Sequence, residues 1–202
     1  KTDIARQYTE AAREMAAKWV KMADDGDHYR LTFDKPGTWS QKYNLVWDRL
    51  LDLNIFPKEV AAMEMAYYKT KQNKYGLPLD NRKDYTKSDW ILWSACLTGS
   101  MEDFNALMIP VWNYANETTS RVPLSDWHFT SDGTQRGFQA RSVVGGYFMK
   151  MLEKQMYKPS FRPEPAEEPV VEAKSTYRNP VIDYSLPDPT IIKADDGYFY
   201  LY

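Results

Sequence analysis

The chain has 202 residues and a formal net charge of -2, which is long enough for one or two domains and gives no electrostatic reason to expect nucleic acid. Apolar residues make up 43% and charged residues 27%, the balance of a water-soluble globular protein, and no apolar run approaches the roughly 20 residues of a membrane span. The aromatic share of 15%, with 7 Trp and 15 Tyr, exceeds what a core alone asks for and suits stacking surfaces for sugars.

Apolar residues in three- and four-residue steps predict a first helix over 3–24 through Ile4, Tyr8, Ala12, Met15, Trp19 and Met22. Asp24-Asp25-Gly26-Asp27 ends it. After a polar loop containing Asp34, a second, largely apolar helix is predicted to open at Trp39 and run through Leu45, Trp47, Leu50 and Leu53. Asn54-Ile55-Phe56-Pro57 breaks it.

A third helix is predicted over 57–73, closed by Tyr75-Gly76-Leu77-Pro78. A fourth is expected to open at Tyr85 and continue through Trp90 to Leu97. The single cysteine, Cys96, lies in its apolar pattern and reads as a small buried hydrophobe. Ser100 and Asp103 have the spacing of a capping box for a fifth helix over 101–116. A sixth is expected from Phe138 to Met156, where Gly145 and Gly146 suit close packing.

This order repeats three times: an amphipathic helix, a polar loop, then an apolar helix opening near Trp39, Trp90 and Phe138. A spacing of about fifty residues is that of helical-hairpin arrays. The expected fold class is mainly α: half of an (α/α)6 toroid, three helical hairpins over 1–156. An open α-solenoid is the other reading. Four prolines and several glutamates over 157–177 predict an extended linker. Pro189–Ala194 and Tyr198–Tyr202, split by Asp195-Asp196-Gly197, predict a β-hairpin that begins a second domain over 178–202.

The three long loops bring polar residues to the starts of the apolar helices, where free N–H groups favour anionic or oxygen-rich ligands. Candidate carboxylates are Asp34, Asp80, Asp89 and Asp126. Asp126 is read as an acid/base or substrate anchor, or as a helix-capping loop residue, and Asp89 as a second acid or a helix-start residue. Candidate substrate-binding side chains are Trp39, Gln41, Lys42, Asp80, Arg82, Trp90, Arg121, Trp127, His128 and Arg141, with Lys87 a further cation. His128 is read either as part of the site or as a surface residue. Arg141 calls for a partner, Asp126 or Asp89. His28 and His128 have no metal-ligand spacing, so neither a metal nor a cofactor is expected.

Lys35-Pro36-Gly37-Thr38-Trp39-Ser40-Gln41-Lys42-Tyr43-Asn44, Lys71–Asp80, Tyr85-Thr86-Lys87-Ser88-Asp89-Trp90, Val122-Pro123-Leu124-Ser125-Asp126-Trp127 and Gly137–Gly146 resemble the C-terminal part of the glutaminase A family over residues 1–155. The resemblance implies a helical toroid and hydrolysis of the side-chain amide of glutamine. It also implies a secreted or periplasmic location, and it assigns no catalytic residue. Leu186-Pro187-Asp188-Pro189-Thr190-Ile191-Ile192-Lys193 and Gly197–Tyr202 resemble the first blade of a glycoside hydrolase family 43 five-bladed β-propeller. That second resemblance implies action on arabinan- or xylan-type glycans with Asp188 as general base. The acid that inversion also needs would lie beyond Tyr202.

The expectation is a fragment of a two-module extracytoplasmic hydrolase acting on a small molecule or glycan, and inactive alone. Two alternatives remain open for the helical part: a glycoside hydrolase in its own right, or a carbohydrate-binding toroid without catalysis.

Overall fold

The computed structural model describes residues 3–156, and the backbone of 191–193 and 199–201. The chain divides into two compact units, Lys1–Met156 and Tyr157–Tyr202. Asp188, the expected linker over 157–177 and most of the expected second domain lie outside the described residues.

In the first unit the elements follow the predicted order with shorter inner helices. They are α1 (Asp3–Ala23), a 3-10 turn (Tyr43–Leu45) running into α2 (Val46–Leu50), α3 (Lys58–Lys71), β1 (Tyr85–Lys87), α4 (Ser88–Ser94), α5 (Met101–Glu117), β2 (Trp127–Phe129), a 3-10 segment (Ser142–Phe148) and α6 (Met149–Met156). α4 packs against both the 3-10 turn at 43–45 and the 3-10 segment 142–148. α3 contacts α5. The short inner pieces thus neighbour one another, and so do two of the long helices. The core is built on Val46, Leu50, Met65, Tyr68, Leu77, Ile91, Leu92 and Leu107, and Cys96 is buried within it as expected.

Three boundaries differ from the sequence expectation. Trp39 to Lys42 is not helical; Trp39 is buried edge-on to Tyr67. Tyr85-Thr86-Lys87 is a strand rather than the first turn of α4. It pairs antiparallel with β2, Tyr85 opposite Phe129, Thr86 opposite His128 and Lys87 opposite Trp127. Both strands alternate strictly, with Thr86 and His128 buried and their neighbours half-buried, so a period of two outweighs the helical period over these six residues. The sixth helix begins at Ser142 rather than Phe138 and stays 3-10 until Met149. Two β-branched valines and two glycines there are poor α-helix formers.

The first helix buries only part of its predicted stripe: Ala12 and Trp19 are half-buried, Trp19 against Tyr29 and Phe56. Ala16 and Ala23 are buried, whereas Ile4, Tyr8, Met15 and Met22 are exposed. The four-residue steps identify the stripe but not its partner; small alanines permit the closer approach. The capping box is half formed. Ser100 accepts from the Asp103 backbone N–H at 3.3 Å, while the Asp103 carboxylate is taken by Thr98 and Lys69.

α5 carries Pro110 in its interior, which removes the hydrogen bond that the carbonyl four residues earlier would accept. That carbonyl, on Ala106, accepts instead from Gln72 Nε2 at 2.8 Å. The helix continues because a side chain from the end of α3 supplies the missing donor.

In the second unit, β3 (Ile191–Lys193) and β4 (Phe199–Leu201) pair antiparallel, Ile192 opposite Tyr200. The predicted β-hairpin is present.

Candidate functional site

The ends of β1 and β2 and the first turn of α4 converge on two carboxylates. Lys87 closes β1, Ser88 and Asp89 open α4, and Asp126 precedes β2. The Ser88 backbone N–H donates to the Asp126 carbonyl at 2.7 Å, which fixes the two segments side by side. Asp89 is 4% exposed and Asp126 1%, so neither carboxylate gains much from water.

Asp126 Oδ2 takes two cations, Lys87 Nζ at 2.8 Å and Arg141 Nη1 at 3.3 Å. The partner expected for Arg141 is therefore Asp126. Asp89 is treated differently. Burial pushes its pKa up to about 6, with the charge of Asp126 adding to the rise. Backbone N–H groups at the start of α4, and then Lys87, oppose that shift. Among the described residues, Asp89 Oδ1 and Asp126 Oδ1 have no hydrogen-bond partner, and neither do the indole nitrogens of Trp93 and Trp127. Buried polar atoms are rarely left so, and here four occur on the residues around one pair of acids.

The 3-10 segment rests on α4 beside Asp89. A Cβ on Gly146 would lie 2.7 Å from Trp93 Nε1 and 3.0 Å from Asp89 Cβ, so only a glycine lets that backbone rest on α4; Gly145, its neighbour, faces open space. Tyr147 follows, with its hydroxyl 2.6 Å from Ser88 Oγ, and burial holds its pKa well above the usual phenol value. Tyr43 stacks on Trp90 at 4.2 Å between ring centroids. Trp127 lies beneath Lys87 and tilts against Phe138.

The structure brings Asp89, Trp90, Asp126, Trp127 and Arg141 of the sequence candidates together. The others are placed as follows. Gln41 is buried, donates to the carbonyls of Leu77 and Pro78 and to Thr86, and accepts from Ser94. Lys42 donates to the carbonyls of Tyr29 and Ser40 beside the buried Glu64. Asp80 is buried and forked by Arg82, itself exposed. Arg121 is exposed and caps the Thr118 carbonyl, and Asp34 is exposed in its loop.

His128 is fully buried, so it is not the surface residue that a loop position allowed. It stacks on Tyr114 at 3.6 Å, and its Nε2 lies 2.8 Å from the Tyr75 carbonyl, which places the ring hydrogen there. Desolvation lowers its pKa to about 4.

Tyr43, Ser88, Trp93 and Tyr147 were missed by the sequence reading. The alternation in Tyr85-Thr86-Lys87 and Trp127-His128-Phe129 was the available signal for the sheet that gathers them.

An array of helix–loop–helix units, in which the segments leading into α4 and β2 meet at two buried carboxylates, defines a helical-hairpin domain. The chain belongs to the family described as the glutaminase A six helical-hairpin domain, whose match covers residues 1–151. It is similar to glutaminase A of Aspergillus oryzae (strain ATCC 42149 / RIB 40), 34% identical over 158 residues, which is 74% of this chain and 23% of that protein. A second relative is the "Probable glutaminase/05536" of Arthroderma benhamiae (strain ATCC MYA-4681 / CBS 112371), 30% identical over 180 residues, 73% of this chain and 21% of that one. The chain therefore spans less than a quarter of the length of these relatives. No solved structure matches it. No helix among the described residues is long and apolar enough to cross a membrane, and no group of residues among them has the makings of a metal site.

Proposed function

We propose that residues 1–156 are part of a glutaminase A-like amide hydrolase and that Asp89 and Asp126 are its acid–base pair. The observation that carries this is the unequal treatment of two neighbouring buried carboxylates: Asp126 holds both cations, and Asp89 is pushed up to about 6. Environments that separate two acids in this way assign an acid and a base.

In the proposed reaction Asp126 accepts a proton from water as its oxygen attacks the carboxamide carbon. Asp89 gives its proton to the nitrogen, the C–N bond breaks, and ammonia leaves with a carboxylic acid as the second product. The proton then returns from Asp126 to Asp89 through solvent.

A second reading is favoured by the aromatic rings beside the pair, Trp90 stacked on Tyr43 and Trp127 against Phe138. In it the same acids cleave a glycosidic bond, with Asp89 protonating the leaving oxygen. A carbohydrate-binding role without turnover is the outcome if neither acid matters. Ammonia release from L-glutamine by the full-length protein that carries this chain, measured for wild type, Asp89→Asn and Asp126→Asn, separates these. Loss in both variants supports the amide reading. Release unchanged in both removes the acid–base assignment, and sugar release in place of ammonia selects the second reading.

The same proposal holds that the unit is three hairpins of a six-hairpin toroid. The family description and the exposed apolar stripe of α1 support it. We further propose that 157–177 is a linker and that 178–202 begins a glycoside hydrolase family 43-like propeller with Asp188 as its base, a reading the β3–β4 hairpin supports. Secretion or a periplasmic location follows from the same resemblances and is tested by fractionating cells that express the gene.

A further inference from the structure

The outward face of the β1–β2 sheet is an aromatic surface with cations on it. With Thr86 and His128 turned into the core, the opposite face carries Tyr85 against Phe129 and Lys87 against Trp127. The segment after β2 folds back along it: Phe129 N–H donates to Thr134 O and Arg136 N–H to Trp127 O, both at 2.9 Å. This lays the Arg136 guanidinium over three rings, 5.2 Å from Trp127, 5.8 Å from Tyr85 and 6.0 Å from Phe129. Lys87 Nζ is 4.6 Å from the same Trp127 ring and 5.0 Å from Phe138, over which Arg141 also lies, at 4.8 Å.

Three cations thus lie over the rings of this sheet and of Phe138, and among the described residues Asp126 serves two of them, Lys87 and Arg141. Arg136 is exposed and has no carboxylate partner among the described residues. The nearby acids are otherwise engaged, Asp84 by Ser131 and Asp132 by Thr134. A guanidinium with one face against rings loses water there while its forked edge stays open, and that edge matches a carboxylate with two parallel hydrogen bonds. Arg136 and Lys87 both lie over the Trp127 ring, and Lys87 pairs with Asp126.

We propose that Arg136 is the anchor for a carboxylate borne by the ligand of the Asp89–Asp126 site, with Lys87 adding to the local positive field. This rests on the acid–base reading of that site and narrows its ligand to an acidic small molecule. Two sources share this chemistry, the α-carboxylate of an amino acid and the carboxylate of a uronic acid.

Calorimetric titration of the 202-residue chain with L-glutamine against its α-amide, and with glucuronate against glucose, tests the anchor and separates the sources. At least one carboxylate is expected to bind roughly tenfold tighter than its neutral counterpart, the scale of one charge-assisted fork. Arg136→Gln is expected to bring that ratio below about threefold, and Arg136→Lys to keep part of it. Melting curves accompany each variant; if Arg136→Gln unfolds, the ratio in Arg136→Lys decides, and an undiminished ratio there contradicts the fork. Equal binding of charged and neutral probes by wild type overturns the proposal. So does an unchanged ratio in Arg136→Gln, or no binding of either carboxylate at about 10 mM. Failure here with turnover still lost in Asp126→Asn removes the anchor and leaves the acid–base pair. Success here with turnover intact in Asp89→Asn and Asp126→Asn does the reverse.

Discussion

Two buried polar regions meet α4, one at Ser94 and one at Asp89, and they are finished to different degrees. Around Gln41 the amide nitrogen has three acceptors within reach and the amide oxygen takes Ser94; Lys42 beside it donates to two carbonyls and lies 3.6 Å from Glu64 Oε2, an atom that itself accepts no hydrogen bond among the described residues. Around Asp89 and Asp126, by contrast, an oxygen of each acid and two indole nitrogens have no partner among the described residues. A satisfied network holds loops together and adds stability. An unsatisfied one costs stability, and retaining it makes sense where a ligand or water completes it. Both regions drew on the same polar loop residues in the sequence; only their partners tell them apart.

The largest effect is expected on the unfinished side. Asp126→Asn should lower turnover by roughly 10²–10⁴-fold and leave Lys87 and Arg141 without their shared carboxylate, and a coupled ammonia assay reads the loss. On the finished side, Gln41→Leu should cost about 2–4 kcal/mol of stability, because two carbonyls and two hydroxyls lose their partner at once; urea unfolding measures it. If Gln41→Leu instead left stability unchanged, the contrast between the regions would fail.

The glycine pair sharpens the contrast within one turn. Gly146→Ala should destabilise by about 1–3 kcal/mol, since its methyl meets Trp93 and Asp89. Gly145→Ala, facing open space, should be neutral or stabilising by a few tenths of a kcal/mol.

Protonation gives a smaller, signed effect. Asp89 has a folded pKa of about 6 against an ordinary aspartate value of 3.8, so between those two values the folded state holds a proton that the unfolded state releases. Its contribution to stability is present below pH 4 and is lost as pH rises through 6. Asp89→Asn should therefore stabilise the fold at pH 8 by about 1–2 kcal/mol while abolishing turnover. His128 works in the opposite direction. With a folded pKa of about 4 against 6.5, it contributes stability above pH 6.5 that disappears as pH falls to 4. The two terms offset one another in wild type, so Asp89→Asn should lose stability more steeply between pH 6.5 and 4. Melting temperatures across that range check the sign. The smallest effect is expected at Gln72→Leu, about 1 kcal/mol, from the unpaired Ala106 carbonyl below Pro110.

The long helices were legible in the sequence because their period extends over fourteen to twenty-one residues, and so was the repeated order of helix, loop and helix. The loop sheet was not, since three-residue strands give two turns of a pattern that a helix start imitates. Asp126 with Arg141 was legible as a charged residue in apolar surroundings that needed a partner. The burial of His128 was not, because a histidine in a polar loop carries no mark of the tyrosine it stacks on or of the Tyr75 carbonyl, 53 residues away in the chain, that its ring meets. The cation-bearing face around Arg136 required the register Lys87 opposite Trp127, which no spacing encodes.

The central claim is that Asp89 carries a proton where Asp126 carries two cations. Carboxyl-carbon NMR titration of the aspartates in wild type and in Asp126→Asn tests it directly. The account predicts an Asp89 midpoint near 6 in wild type, moving down but staying above 3.8 in the variant, because burial, the larger cause, remains and the neighbouring charge is gone. An Asp89 midpoint at or below 4 in wild type would contradict it.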